Sequence, residues 1–149
     1  QRTQRQGALM FIDLDNFKDI NDTLGHEAGD DVLNTMGQRM SALVREVDTV
    51  ARIGGDEFII LLDGADNQAE ITQIAQRMVD TLQRPVTYRG QQLNCGASIG
   101  IGCFPQDGED ITSLIAAADQ AMYMAKQSGR NQLRFASALA DSSQVRSDP

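Results

Sequence analysis

The sequence has no basic cluster, no long apolar run and very little cysteine or histidine, and each shortage removes a class of function. Its 149 residues carry 13 Lys and Arg against 21 Asp and Glu, a formal net charge of −8. With no Lys/Arg cluster to interrupt it, that acidity argues against long-range attraction to DNA, RNA or an anionic membrane. A nucleotide is not ruled out, because a few local cations and a divalent metal can hold phosphates on an acidic protein. No apolar stretch approaches the roughly 20 residues that cross a bilayer. Gln1 to Gly7 is polar and lacks the apolar centre of a secretory signal. A cytoplasmic domain making no membrane contact is the expectation. Cys95 and Cys103 share one Gly-rich apolar segment and follow no metal-ligand spacing. A strand spanning both would hold them too far apart for a disulfide, so they read as small buried residues in a reducing compartment. The lone His26 reads as structural sooner than catalytic.

What is present is a regular alternation of strands and helices, and the length fits one domain around one core. Ala8 to Leu14 is a continuous apolar run with one acid near its end, the pattern of a strand buried on both faces whose carboxyl end emerges at a site. Asp15 to Leu24 reads as a turn and short helix stopped by Gly25. Glu27 to Val44 carries Val32, Leu33, Met36, Met40, Leu43 and Val44 at helical spacing. Thr49 to Arg52 and Glu57 to Leu62 form a hairpin around Gly54, Gly55 and Asp56. An amphipathic helix follows over Asp66 to Leu82, then a second hairpin, Val86 to Tyr88 and Gln91 to Asn94, about Arg89 and Gly90. Cys95 to Phe104 reads as a strand whose glycines permit close neighbours. Ile111 to Gln127 is a helix stopped at Gly129, and Leu133 to Phe135 a last strand. Ala136 to Pro149 reads as a polar tail or linker. No internal repeat is present. This order predicts an α/β (α+β) fold, a central mixed sheet wrapped by helices with a ferredoxin-like core.

Four segments carry chemistry. In Phe11-Ile12-Asp13-Leu14-Asp15-Asn16-Phe17-Lys18, Asp13 ends an apolar strand, where its charge is partly desolvated unless a cation meets it. Alone it reads as a solvated strand-end acid. In Arg52-Ile53-Gly54-Gly55-Asp56-Glu57-Phe58, the glycines allow a tight turn and close approach of a ligand, and two acids follow. If the two strands pair, Asp13 and Asp56 converge on one divalent metal, and carboxylates with a backbone carbonyl suit Mg²⁺ or Mn²⁺. The third, Asn21 to Asp30, is rich in turn and cap residues. Asp30 can also accept from guanine N1–H and its exocyclic amine, a donor pair adenine does not present. The fourth, Tyr123 to Asn131, places Lys126 in a helix's last turn and Arg130 beyond its glycine stop. Both are ordinary helix-end cations and both can reach phosphate oxygens.

Together these motifs, with Ser98-Ile99-Gly100-Ile101, resemble the GGDEF family of diguanylate cyclases from about Leu9 to Phe135. The resemblance implies a fold like nucleotide cyclases and polymerase palms, and condensation of two GTP into cyclic di-GMP and pyrophosphate. Asp13, the Leu14 carbonyl and Asp56 would bind Mg²⁺ or Mn²⁺. Asp56 or Glu57 would help deprotonate the ribose 3′-hydroxyl, the family pattern favouring Asp56. Asn21 and Asp30 would read guanine, with Phe17 and His26 also at the substrate. Lys18, Lys126 and Arg130 would neutralise phosphates, Lys18 also stabilising charge in the transition state, and the Asp15 to Lys18 loop would offer backbone N–H groups. Arg45 and Asp48, in Arg45-Glu46-Val47-Asp48, match the Arg-(x)₂-Asp form of the family's inhibitory product site. The bland alternative is a solvated helix end.

Catalysis would need a homodimer, each protomer presenting one GTP. The alternative implied function is a GTP- or cyclic di-GMP-sensing module regulating a neighbouring phosphodiesterase domain. The regulatory or phosphodiesterase domain would lie outside this chain. Only Gln1 to Gly7 precede the first strand, so the family's first helix is expected to be missing from a domain spanning residues 1–135.

Overall fold

The computed structural model describes residues 6–65 and 67–137. Its centre is a five-stranded sheet in the order β2-β3-β1-β6-β7, formed by β1 (Gly7–Leu14), β2 (Thr49–Arg52), β3 (Glu57–Asp63), β6 (Ala97–Phe104) and β7 (Leu133–Phe135). All neighbours are antiparallel except β6 and β7, so the sheet is mixed as the sequence predicts. The helices are α1 (Phe17–Leu24), α2 (His26–Leu43), α3 (Gln68–Leu82) and α4 (Ile111–Gln127). Setting aside α1, α4, β7 and the separate two-stranded hairpin between α3 and β6, the chain runs β1-α2-β2-β3-α3-β6, the βαββαβ pattern of a ferredoxin-like core.

β1 is central and covered on both faces, which explains its unbroken apolar run. Ala8, Met10, Ile12 and Leu14 face the larger core, beneath α1, α2 and α3, with Val32, Met36, Met40, Ala75, Met78 and Leu82. Leu9 and Phe11 point the other way, beneath Leu114, Ala118 and Met122 of α4. That second interface is set by a glycine. A Cβ on Gly100 would lie 2.0 Å from the Ala118 carbonyl oxygen and 2.2 Å from the Met122 nitrogen. Only a residue without a side chain lets α4 lie this close to β6, and this close docking brings the end of α4 over the end of β1.

The small hairpin of β4 (Val86–Tyr88) and β5 (Gln91–Leu93) turns through Arg89 at φ 49° and Gly90 at φ 77°. Two consecutive positive φ values are those of a type I′ hairpin turn. Glu27 of α2 anchors it, accepting from Tyr88 Oη at 3.2 Å and Arg89 Nη2 at 2.7 Å.

Some boundaries differ from expectation. Cys95 and Gly96 precede β6 instead of opening it: Gly96 O accepts from Asp15 N at 2.8 Å, and Cys95 Sγ donates to Asp15 O at 3.0 Å. The two residues close the end of β1. Asn94 likewise lies beyond β5. α3 is capped by Asn67, whose Oδ1 accepts from Glu70 N at 3.1 Å; Asp66, its expected first residue, lies outside the described residues. Of the expected tail only Ala136 and Ser137 are described, and Ser137 Oγ donates to Asp107 Oδ1 at 2.9 Å. Neither cysteine forms a disulfide. Cys95 is buried and Cys103 half-buried, and burial pushes their thiols up to about 12 and about 11. Among the described residues no helix is long and apolar enough to cross a membrane.

Candidate active site

The strand alternation that buries Leu9 and Phe11 under α4 also puts Asp13 on the α4 face. Its register partners are Glu57 on β3 and Ser98 on β6. The turn from β2 to β3 is closed by Ile53 N to Glu57 O at 2.9 Å and braced by Arg52 Nη1 on Gly55 O at 3.1 Å. Leu14 N donates to Asp56 O at 3.1 Å, tying the end of β1 to that turn. Of the two roles expected of Gly54 and Gly55, a tight turn and close approach of a ligand, the backbone does not require the first. Neither has a positive φ, so the turn does not need their backbone freedom. What they provide is space: a Cβ on Gly55 would meet nothing within 4 Å, and one on Gly54 would touch only Glu57.

Three acids therefore share one end of the sheet. Asp13 Oδ1 is buried and makes no hydrogen bond; Lys126 Nζ, at the end of α4, lies 3.5 Å away. Burial and then the neighbouring charge of Asp56 push the Asp13 carboxyl up to about 7, with Lys126 opposing the rise. Glu57 is also raised, by burial first and then by Asp56 and Asp119. A buried, unsatisfied carboxylate oxygen beside like charges is costly unless a cation joins it. Among the described residues no three His, Cys, Asp or Glu side chains form a ready-made metal cage. Mg²⁺ needs none, since it keeps several waters and binds through one or two carboxylates with substrate phosphates. Asp13 and Asp56 fit that requirement.

Asp15 is the residue that sequence reasoning undervalued. It is 3% exposed and lies on the same side of the chain as Asp13, two residues on. Ser98 Oγ donates to its Oδ1 at 2.8 Å and Asn131 N to its Oδ2 at 3.0 Å, while Lys126 Nζ stands 3.7 Å from Oδ1. One carboxylate thus joins the ends of β1 and β6 to the loop after α4. The two-residue spacing of Asp13 and Asp15 was the available signal, since side chains two apart on a strand share a face.

Beside the β2–β3 turn a groove of about 1020 Å³ opens between α2 and the edge of the sheet, lined among others by Asp30, Asn34, Gln38, Val50, Arg52 and Phe58. It offers an exposed carboxylate and two amides over an apolar floor, a surface for a flat polar ring. Asn21 packs against Gly29, one residue before Asp30: a Cβ there would lie 2.3 Å from Asn21 Oδ1.

A family model described as "Diguanylate cyclase, GGDEF domain" matches residues 1–132. The chain belongs to the GGDEF family. It is similar to the diguanylate cyclase TpbB of Pseudomonas aeruginosa, 40% identical over 134 residues that cover 89% of this chain and 31% of TpbB. It is also similar to the cyclic di-GMP phosphodiesterase NbdA of the same organism, 40% identical over 129 residues covering 86% of this chain and 16% of NbdA. The chain thus spans about a third of one curated relative and a sixth of the other. The crystal structure of the TpbB GGDEF domain, 40% identical, superposes with a TM-score of 0.85, covering 88% of this chain and 82% of that one. That of the GGDEF domain of DgcB from Caulobacter crescentus in complex with c-di-GMP, 26% identical, superposes at 0.82, covering 89% and 79%.

Of the GGDEF site residues expected from sequence, the fold gathers Asp13, Leu14, Asp56, Glu57 and Lys126 at one place. It sets Asp30 in the adjoining groove. Phe17 is buried in the core and His26 is an exposed first residue of α2. Lys18 is turned to solvent on α1, 3.8 Å from Asp22, and no contact joins it to the acids. Arg130 is exposed at φ 65°, its N–H donating to Ala125 O at 3.0 Å. Arg45 and Asp48 do meet, 3.4 Å apart, but not as a pair of free charges. The Asp48 side chain is 2% exposed, accepting from Arg45 N at 2.8 Å and Asp63 N at 3.0 Å, and Arg45 Nη2 donates to Asp63 O at 2.6 Å.

Proposed function

We propose that this domain condenses two GTP molecules into cyclic di-GMP, releasing two pyrophosphates. The observation that carries the proposal is the buried, unsatisfied Asp13 oxygen set against Asp56 and Glu57 beside an open glycine turn. Each ribose 3′-oxygen attacks the α-phosphorus of the other GTP, a P–O bond to pyrophosphate breaks, and the hydroxyl proton leaves to a base. Asp56 serves as that base, with Glu57 beside it. Mg²⁺, or Mn²⁺ in its place, held by Asp13, the Leu14 carbonyl and Asp56, would lower the hydroxyl pKa and neutralise charge at the phosphates. Lys126, Arg130 and Lys18 supply further positive charge along the triphosphate, Lys18 by swinging from Asp22 toward the leaving group. The groove takes guanine, with Asp30 accepting from N1–H and the exocyclic amine and Asn21 supporting that end of α2.

Because one site holds one GTP, two protomers must face each other, and the domain works as a homodimer in the cytoplasm, where GTP is made. Product inhibition runs through the Arg45 and Asp48 pair, with the exposed Arg45 guanidinium meeting the ligand and the buried Asp48 holding it in place. The proposal is supported by the likeness to TpbB and, for product binding, to DgcB. Incubating the protein with GTP and Mg²⁺ and separating products by chromatography should give cyclic di-GMP and pyrophosphate. Unchanged GTP would overturn the reading. Similarity to NbdA, named a phosphodiesterase, favours a second reading: a GTP- or cyclic di-GMP-binding module that regulates an attached phosphodiesterase domain. Calorimetry showing nucleotide binding without turnover would select it.

A further inference from the structure

Resting on that reading of the acids as a metal site, we propose that Lys126 is an internal counter-cation for Asp13 in the metal-free enzyme. We further propose that Asp15 receives it when metal binds. Lys126 Nζ stands between two carboxylates of opposite condition, 3.5 Å from Asp13 Oδ1 and 3.7 Å from Asp15 Oδ1. Asp13 Oδ1 has no hydrogen bond, so the ammonium is its available compensation. Asp15 is fixed, with Ser98 Oγ donating to one oxygen and Asn131 N to the other, and its remaining acceptor sites can take an ammonium. Its surroundings are also closed, for a Cβ on Gly96 would lie 2.8 Å from Asn131 Oδ1 and 3.5 Å from Asp15 Oδ2.

A cation between a fixed anion and an unsatisfied one is displaced toward the fixed anion when a stronger cation takes the other. The lysine stem can make that move, having four rotatable carbons and a point charge with no planar geometry to satisfy. The transfer has two consequences. Metal entry must expel a positive charge from Asp13, which weakens binding of the bare metal. The expelled ammonium remains beside the site on Asp15, where the phosphates arrive. Asp15 is on this account a positioning residue, acting through Lys126. The same carboxylate holds the loop of Gly129, Arg130 and Asn131, whose φ values of 124°, 65° and 51° are all positive. It thereby fixes the backbone beside Arg130 as well as standing by Lys126.

The test is Mn²⁺ binding to the nucleotide-free protein, followed by electron paramagnetic resonance, with Asp56→Asn as the control that identifies the site. Lys126→Met should tighten Mn²⁺ roughly tenfold by removing a partly screened like charge. Asp15→Asn should weaken Mn²⁺ roughly fivefold when Lys126 is present and change it less than about twofold in the Lys126→Met background. A shared effect of this kind is what a double-mutant cycle detects. Equal effects of Asp15→Asn in both backgrounds would overturn the transfer, leaving Asp15 a general source of negative potential. Should Asp15→Asn fail to fold, Lys126→Met decides alone, and unchanged or weaker Mn²⁺ binding refutes the counter-cation. Absence of any Mn²⁺ signal sensitive to Asp56→Asn would instead remove the metal-site reading on which the proposal stands.

Discussion

Asp13 and Asp48 are both acids with largely covered side chains near the sheet, at opposite ends of β3, and their surroundings have opposite consequences. Asp48 is the more buried, its side chain 2% exposed against 13% for Asp13. Yet Asp48 is satisfied: the N–H groups of Arg45 and Asp63 donate to its two oxygens and the Arg45 guanidinium lies alongside. Asp13 has a buried oxygen that makes no hydrogen bond, with only Lys126 Nζ 3.5 Å away, and burial together with two neighbouring acids pushes its carboxyl up to about 7. Burial by itself therefore does not mark a site. An unsatisfied charge does, because the fold leaves its cost to be met by something that binds.

Each arm of that contrast can be broken. The largest effect is expected at the acid cluster: Asp56→Asn should lower conversion of GTP by at least roughly 1000-fold while leaving the melting temperature close to wild type. Undiminished turnover would take Asp56 out of the chemistry. At the other end, Asp48→Ala should cost stability, about 2–3 kcal/mol in urea unfolding, because it strands the backbone N–H groups of Arg45 and Asp63. A neutral result would mean that those groups find water and that Asp48 is free for a ligand after all.

The third test uses pH. With its folded pKa raised above the usual carboxylate value, Asp13 binds more protons in the folded state than in the unfolded one between about 3.8 and about 7. Its contribution to stability is complete below that window and is lost as pH rises through about 7. The metal-free protein should therefore melt lower at pH 8 than at pH 6. Asp13→Asn should raise the melting temperature at pH 8 by several degrees and flatten this part of the profile, and a profile unchanged by the substitution would contradict the unsatisfied charge. Wild-type Mn²⁺ binding should weaken below pH 7 as Asp13 takes its proton. The smallest stability effect belongs to Arg45→Ala, well under about 1 kcal/mol for an exposed guanidinium. Its diagnostic readout is inhibition: more cyclic di-GMP should be needed to slow the enzyme while the initial rate with GTP stays near wild type. Equal inhibition of both proteins would leave Arg45 and Asp48 as a structural clamp.

Much of this was legible along the chain because the signals are local. The two-residue alternation of β1, the 3.6-residue spacing in α2 and α3 and the glycines at both hairpins depend on neighbours a few residues apart. So does the wording of the motifs that place the chain in the GGDEF family. The acid set Asp13, Asp56 and Glu57 was readable for the same reason. What the sequence did not contain was the partnership of distant residues. Asp15 meets Ser98 across 83 positions and Asn131 across 116, encounters decided by strand register and by the docking of α4. Gly100 looked like one strand glycine among several, and only the packed helix shows that a single added carbon there would strike two backbone atoms. Their spacing makes Arg45 and Asp48 neighbours, but whether their charges face a ligand or the chain depends on where β3 ends. Local spacing determines which groups the protein has and which face they share. Only tertiary packing decides which of them are satisfied from within, because the atoms that satisfy them come from elements brought together by folding.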